Sequence, residues 1–157
     1  MSYMYEDGIG VSKNYKEALR LVLPFADQGD SGAQMRASVL YAGGHGVMEN
    51  RQKAAEWCLK AAHQGHWDAQ LAMAKMYRRG IGVVQSFAAA RCWYRIMAET
   101  NRKRAEADLA EAVNGKAYAQ LSLGRRFLTG RGVKPNRSHA IYWLRKAAKQ
   151  GKHEAVW

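Results

Sequence analysis

Four copies of the frame Gly-x-Gly-Val punctuate this chain: Gly8-Ile9-Gly10-Val11, Gly44-His45-Gly46-Val47, Gly80-Ile81-Gly82-Val83 and Gly130-Arg131-Gly132-Val133. The first glycines stand at 8, 44, 80 and 130, so two steps are 36 residues and the third is 50. A fixed period in this range marks a stacked-repeat architecture, in which each unit buries its apolar face only against its neighbours. A lone Gly-x-Gly would leave phosphate binding open. Four in register, with no strand pattern before them, mark a recurring turn.

Other positions keep the same register. An aromatic precedes each first glycine by three residues: Tyr5, Tyr41, Tyr77 and Phe127. Asn14, Asn50, Ser86 and Asn136 follow the glycine pairs at one offset, and their short oxygen-bearing side chains suit helix N-caps. Next come Ala18, Ala54, Ala90 and Ala140, then Leu21, Trp57, Trp93 and Trp143, then Ala26, Ala62, Ala98 and Ala148, offsets that share a helical face. Gly29, Gly65, Gly115 and Gly151 close this helix, and Ala33, Ala69, Ala119 and Ala155 open the next unit. Ser38, Ala74 and Gly124 form a register of small residues that lets helix B of the same unit approach.

Each unit therefore reads as helix A, a glycine turn, helix B and a second glycine turn. No stretch alternates apolar and polar residues between turns, so strands are not expected. The predicted fold class is all-α: an α/α solenoid of about four helix-turn-helix repeats in one domain, residues 1–157, with units near 1–32, 33–68, 69–118 and 119–154.

The composite pattern Ala-x-x-x-(apolar)-(small)-x-x-Tyr-x-x-Gly-x-Gly-Val, followed by Asn, Ala, Trp, Ala-Ala and Gln-Gly, resembles the Sel1-like repeat family. Ala54-Ala55-Glu56-Trp57 with Lys60 to Gly65, and Ala140-Ile141-Tyr142-Trp143 with Arg145 to Gly151, carry the resemblance most closely. It implies a right-handed solenoid related to tetratricopeptide repeats and a general role in protein–protein contact. It implies no catalytic residues. Bacterial relatives include regulatory adaptors and immunity proteins that inhibit secreted lipase-type toxins, and the resemblance leaves both roles open.

The 50-residue step contains a 14-residue insertion, because Gly115 follows Trp93 by 22 residues whereas Gly65 follows Trp57 by 8. Fourteen residues are about four helical turns, so an unbroken helix keeps its inward face. With no Gly or Pro between Ser86 and Asn114, and an apolar stripe of Ala98, Ala105, Leu109 and Ala112, one long helix B over 87–113 is expected. A break near Thr100-Asn101 followed by an extra helix is the alternative. The cluster Arg102-Lys103-Arg104 would sit on a protruding part of this helix, as a contact element or a solvated turn. Pro24 should kink helix B of the first unit. Arg126 stands where Leu40 and Met76 stand in other units, and a cation there needs a carboxylate such as Asp108 or Glu111.

Charge is uneven along the chain. Residues 1–72 hold 7 basic and 8 acidic side chains, while residues 73–157 hold 18 and 5. An anionic partner surface or a solubilising face would each explain this. If helix A lines the concave side, Tyr3, Val39, Lys75 and Arg125 form one row, and Glu6, Ala42, Arg78 and Leu128 another, with Arg36, Ala72 and Ser122 beside them. The partner-binding candidates are Tyr3, Arg36, Val39, Lys75, Arg78, Arg79, Arg125 and the Arg102-Lys103-Arg104 cluster. Trp67, Tyr118 and Trp157 are possible aromatic anchors, although Trp67 and Trp157 stand where packing between repeats is expected. The expected partner is another protein with an acidic surface or segment; a nucleic acid is the second class.

Cys58 and Cys92 flank Trp57 and Trp93 on successive B helices, which fits small apolar packing better than a disulfide or metal role. The five histidines show no ligand spacing, and no zinc motif, nucleophile elbow, phosphate loop or paired carboxylates mark an enzyme. No cofactor is expected. There is no signal peptide or membrane-spanning run, which favours the cytoplasm; a leader lost upstream would allow the periplasm or secretion. Met1, Met4 and Tyr5 fall in the core register, and His153 to Trp157 open another helix A, so self-association through uncapped ends is a further expectation.

Overall fold

The computed structural model describes residues 14–151. The first glycine frame, Met1, Tyr3, Met4, Tyr5, Glu6 and the segment His153 to Trp157 lie outside the described residues. Within 14–151 there are seven α-helices and no strands: α1 (Tyr15–Asp27), α2 (Ser31–Ala42), α3 (Arg51–His63), α4 (Trp67–Arg79), α5 (Phe87–Val113), α6 (Ala117–Thr129) and α7 (Arg137–Lys149). They group into two compact units divided between Met97 and Ala98.

The repeating residues build each helix pair in the same way. Asn14, Asn50, Ser86 and Asn136 each accept a hydrogen bond from the backbone N–H three residues on, at 2.8–3.2 Å, so all four expected N-caps form. The backbone N–H groups of Asn50, Ser86 and Asn136 meanwhile donate to the carbonyls of Tyr41, Tyr77 and Phe127, 2.9 Å in each case. One residue thus caps helix B and ties it to the last turn of helix A. α1 runs on through Pro24, whose carbonyl accepts from Gln28 N–H at 3.2 Å.

In the first unit, Trp57 packs with Leu40, Tyr41 and Ala37 of α2. Trp93 packs with Ala69 and Met73 of α4. The tryptophan of each B helix therefore fills the space against its own helix A. Buried glutamines tie each B helix to the next helix A: Gln34 donates to Ala26 O (3.1 Å) and Gln70 to Ala62 O (3.2 Å). These bonds reach carbonyls in the last turn of a helix, which have no intrahelical donor. Gln64 in turn donates to the Gln34 side-chain oxygen at 2.8 Å.

The second unit repeats the arrangement. Gln120 donates to Ala112 O at 3.1 Å, and Gln150 donates to Gln120 at 2.9 Å. Leu123 and Phe127 pack with Trp143 and Ala112. Gly124 holds the small-residue register as expected. A Cβ at that position would press on the Leu144 side chain, so α6 and α7 are in close approach there.

α5 is a single helix of 27 residues, about 40 Å long at 1.5 Å per residue. Its second half is not an overhang, contrary to the expectation from sequence. Gly82 has φ 71°, and a Cβ on it would collide with the carbonyl of Arg51, the first residue of α3. The matching Gly132, φ 78°, is set in the same way against Asn101, which stands 14 residues into α5. Asn101 is only 7% exposed, and Ala105 and Ala112 are buried with it. Within the second unit, the segment from Asn101 to Val113 does what a complete helix B does elsewhere. Ala98 and Leu109, expected in the inward stripe, are exposed instead. At 100° per residue they fall on the rim of the stripe defined by Asn101, Ala105 and Ala112.

Candidate partner-binding surface

The leading helix of each pair buries one face and presents the other. In the first unit, α2 buries Ala37 and Leu40 and leaves Val39 50% exposed, with Ala42 also exposed. α4 buries Met73 and Ala74 and exposes Lys75, Arg78 and Arg79, the last two in its final turn. Cations there are favoured by the helix macrodipole, which supplies an ordinary structural reason for both arginines. In the second unit, α6 buries Leu121, Leu123 and Gly124 and exposes Tyr118, Arg125 and Leu128. Val39, Lys75 and Arg125, and Ala42, Arg78 and Leu128, are thus exposed, whereas Ala72 packs against the core and Ser122 is half-buried. Tyr3 lies outside the described residues. Arg36 is half-buried and already engaged. Trp67 is half-buried and engaged as well, in keeping with a packing role.

Arg102 and Lys103 are exposed but accompanied. Arg102 contacts Glu99 and Glu106, each at 2.7 Å, and Lys103 lies 3.8 Å from Glu99. The hydrogen bond from Arg102 holds the Glu99 carboxyl below the usual carboxylate range, and the same bond raises Arg102. Arg104 is exposed and also engaged. These are i,i+3 and i,i+4 pairs on a solvated helix face, where water screens the attraction and each pair adds little to stability.

Arg126 finds the carboxylate its register demands. Its Nε donates to Asp108 Oδ2 at 2.6 Å, and the two side chains are 14% and 20% exposed. Ser122 Oγ donates to the same oxygen at 2.7 Å. Asp108 occupies the register of Cys58, so three apolar or small positions have been exchanged together for a hydrogen-bonded polar group. Cys58 itself is buried, and its thiol donates to Ala69 O at 3.4 Å. Burial pushes that thiol up to about 11.

Sequence reasoning overlooked the buried glutamines, whose signal was a glutamine one residue after Ala33, Ala69 and Ala119. It also overlooked that Ile141 and Tyr142 of α7 are exposed. Among the described residues no group of three or more His, Cys, Asp or Glu is placed to hold a metal ion. None of the described helices is long and apolar enough to cross a membrane.

The Sel1 repeat pattern matches residues 1–30, 31–66, 67–99 and 117–152, leaving unmatched the segment that carries the insertion. Among solved structures, the chain is similar to a protective antigen present in uropathogenic Escherichia coli strains that displays an SLR fold. They are 26% identical with a TM-score of 0.61, over 96% of this chain and 37% of the other. It is also similar to a Sel1 repeat protein from Oxalobacter formigenes, 30% identical with a TM-score of 0.60, over 94% of this chain and 70% of that one. This chain therefore spans little more than a third of the length of the E. coli protein. No curated protein matches it. Repeat spacing, helix pairing and these matches agree: the chain belongs to the Sel1 repeat family.

Proposed function

We propose that this chain is a non-catalytic protein-interaction scaffold whose partner lies along the exposed faces of its leading helices, α2 and α4 in the first unit and α6 in the second. Sel1 repeats are in general scaffolds for protein–protein contact. One observation supports the choice of face: Val39, Lys75, Arg78, Arg125 and Leu128 are solvent-exposed on helices whose other faces are committed to the core. In the first unit the exposed face is apolar on α2 and basic on α4, and in the second α6 exposes Arg125, so an acidic protein suits both best.

Charge reversal tests this reading. Arg78→Glu combined with Arg125→Glu should weaken capture of a native partner by about ten-fold or more and flatten its salt dependence, with helicity unchanged. Unaltered capture would reduce the charge to a solubilising role. The excess of cations after residue 72 also favours nucleic acid as a second reading. Duplex and single-stranded oligonucleotides belong in the same salt titration, and steep, submicromolar binding would move the assignment there.

A further inference from the structure

From Ala112 to Gly151 the chain contains nine lysines and arginines and no aspartate or glutamate. Two of the nine reach back to carboxylates of α5: Arg126 to Asp108, and Lys116 to Glu111 at 3.5 Å. α6 and α7 contain no carboxylate of their own, so their surface presents one sign of charge to any partner.

The outward face of α6 adds shape to that charge. Tyr118 and Leu128 are each 54% exposed, and Arg125 is exposed between them. Steps of seven and three residues keep the three on one stripe of the helix, about 10 Å and about 5 Å apart along its axis. A phosphate would satisfy the cation, and a base could stack on Tyr118, but a nucleic acid has no aliphatic side chain to cover Leu128. The stripe is well matched to a peptide carboxylate with apolar side chains on both sides. The other cations lie on the connecting turn and on α7 and add long-range attraction.

We infer that α6 anchors an acidic peptide segment of the partner, with one carboxylate on Arg125 and apolar side chains against Tyr118 and Leu128. The inference rests on the scaffold reading above and adds the anchor points and the chemistry of the segment. For an extended segment, about 3.3 Å per residue places the first apolar residue about three positions from the carboxylate and the second one or two positions beyond it.

The test uses the full chain and fluorescence anisotropy with a labelled acidic peptide that carries leucine, glutamate and leucine at this spacing. Its comparisons are a scrambled peptide of the same composition, poly-glutamate, and single-stranded DNA of equal charge. The spaced peptide should bind about ten-fold tighter than the scrambled one. Tyr118→Ser with Leu128→Ser should abolish that preference while leaving the salt slope intact, and Arg125→Gln should weaken binding and lower the slope. All three positions are exposed, so the variants should keep their helicity, which circular dichroism verifies. Equal binding of the scrambled peptide or poly-glutamate, tighter binding of DNA, or no peptide binding at all would overturn the anchor. If Lys75→Glu with Arg78→Glu still impairs capture of a native partner in that case, the scaffold reading survives and only the α6 anchor falls.

Discussion

At the scale of single residues, the second unit differs from the first by a linked exchange. Cys58, Ala72 and Met76 have Asp108, Ser122 and Arg126 as their counterparts in register. The three polar groups satisfy one another within 2.6–2.7 Å. Removing one member should therefore be worse than removing all. Asp108→Ala is expected to cost about 2–4 kcal/mol, because it strands a half-buried guanidinium. Asp108→Ala with Ser122→Ala and Arg126→Met should recover most of that loss in urea unfolding. Cys58 gives a second residue-scale expectation. Its thiol is raised from the ordinary 9.0 to about 11 by burial. A folded state that holds a proton more tightly than the unfolded chain keeps that stabilisation below pH about 9 and loses it as pH rises toward about 11. The loss reaches about 3 kcal/mol at most. Unfolding free energies measured across that window should fall more steeply for the wild type than for Cys58→Ala. At neutral pH a thiol reagent should label exposed Cys92 quickly and Cys58 only on unfolding.

At the scale of elements, the glycine turns pack against the helices within each unit. Gly132 and Gly115 both have positive φ, yet only Gly132 has backbone where a Cβ would go. Gly115→Ala should cost about 1 kcal/mol, from the left-handed conformation alone. Gly132→Ala should cost at least about 2 kcal/mol more, because α5 and the turn must separate to admit the methyl group. Thermal unfolding of the two variants side by side measures the difference. For α5, an unbroken helix predicts amide protection that continues through residues 97–105 without a gap. Fast exchange confined to Thr100 and Asn101 would instead indicate two helices.

At the scale of the whole molecule, stability in a stacked-repeat chain is a sum of local terms between neighbours. A core lesion should then be felt mostly nearby. Leu123 is 1% exposed in the core of the second unit, and Leu123→Ala should cost about 2–5 kcal/mol. Hydrogen exchange should show that loss in α6 and α7 far more than in α2 and α3. Equal loss everywhere would mean that the chain unfolds as one cooperative block.

The sequence by itself determined the all-α class, the four glycine frames and their period, and the helix starts at Asn14, Asn50, Ser86 and Asn136. These depend on local chemistry: a left-handed φ favours glycine, and a short oxygen-bearing side chain reaches the N–H three residues on. It also determined that Arg126 needed a carboxylate, since a cation cannot remain in an apolar register alone. Which carboxylate it takes, Asp108 rather than Glu111, depends on helix phase and on how α5 and α6 pack. Tertiary packing alone also decided that the segment after Thr100 is a core helix of the second unit and not an overhang. The loop of Gly132, 31 residues downstream, packs against Asn101, and no local pattern reports what a distant turn will cover. The exposed rows on α4 and α6 were legible because helical periodicity separates inward from outward positions. Which partner meets them is not written in that periodicity, since an outward face is defined only by what the core leaves free.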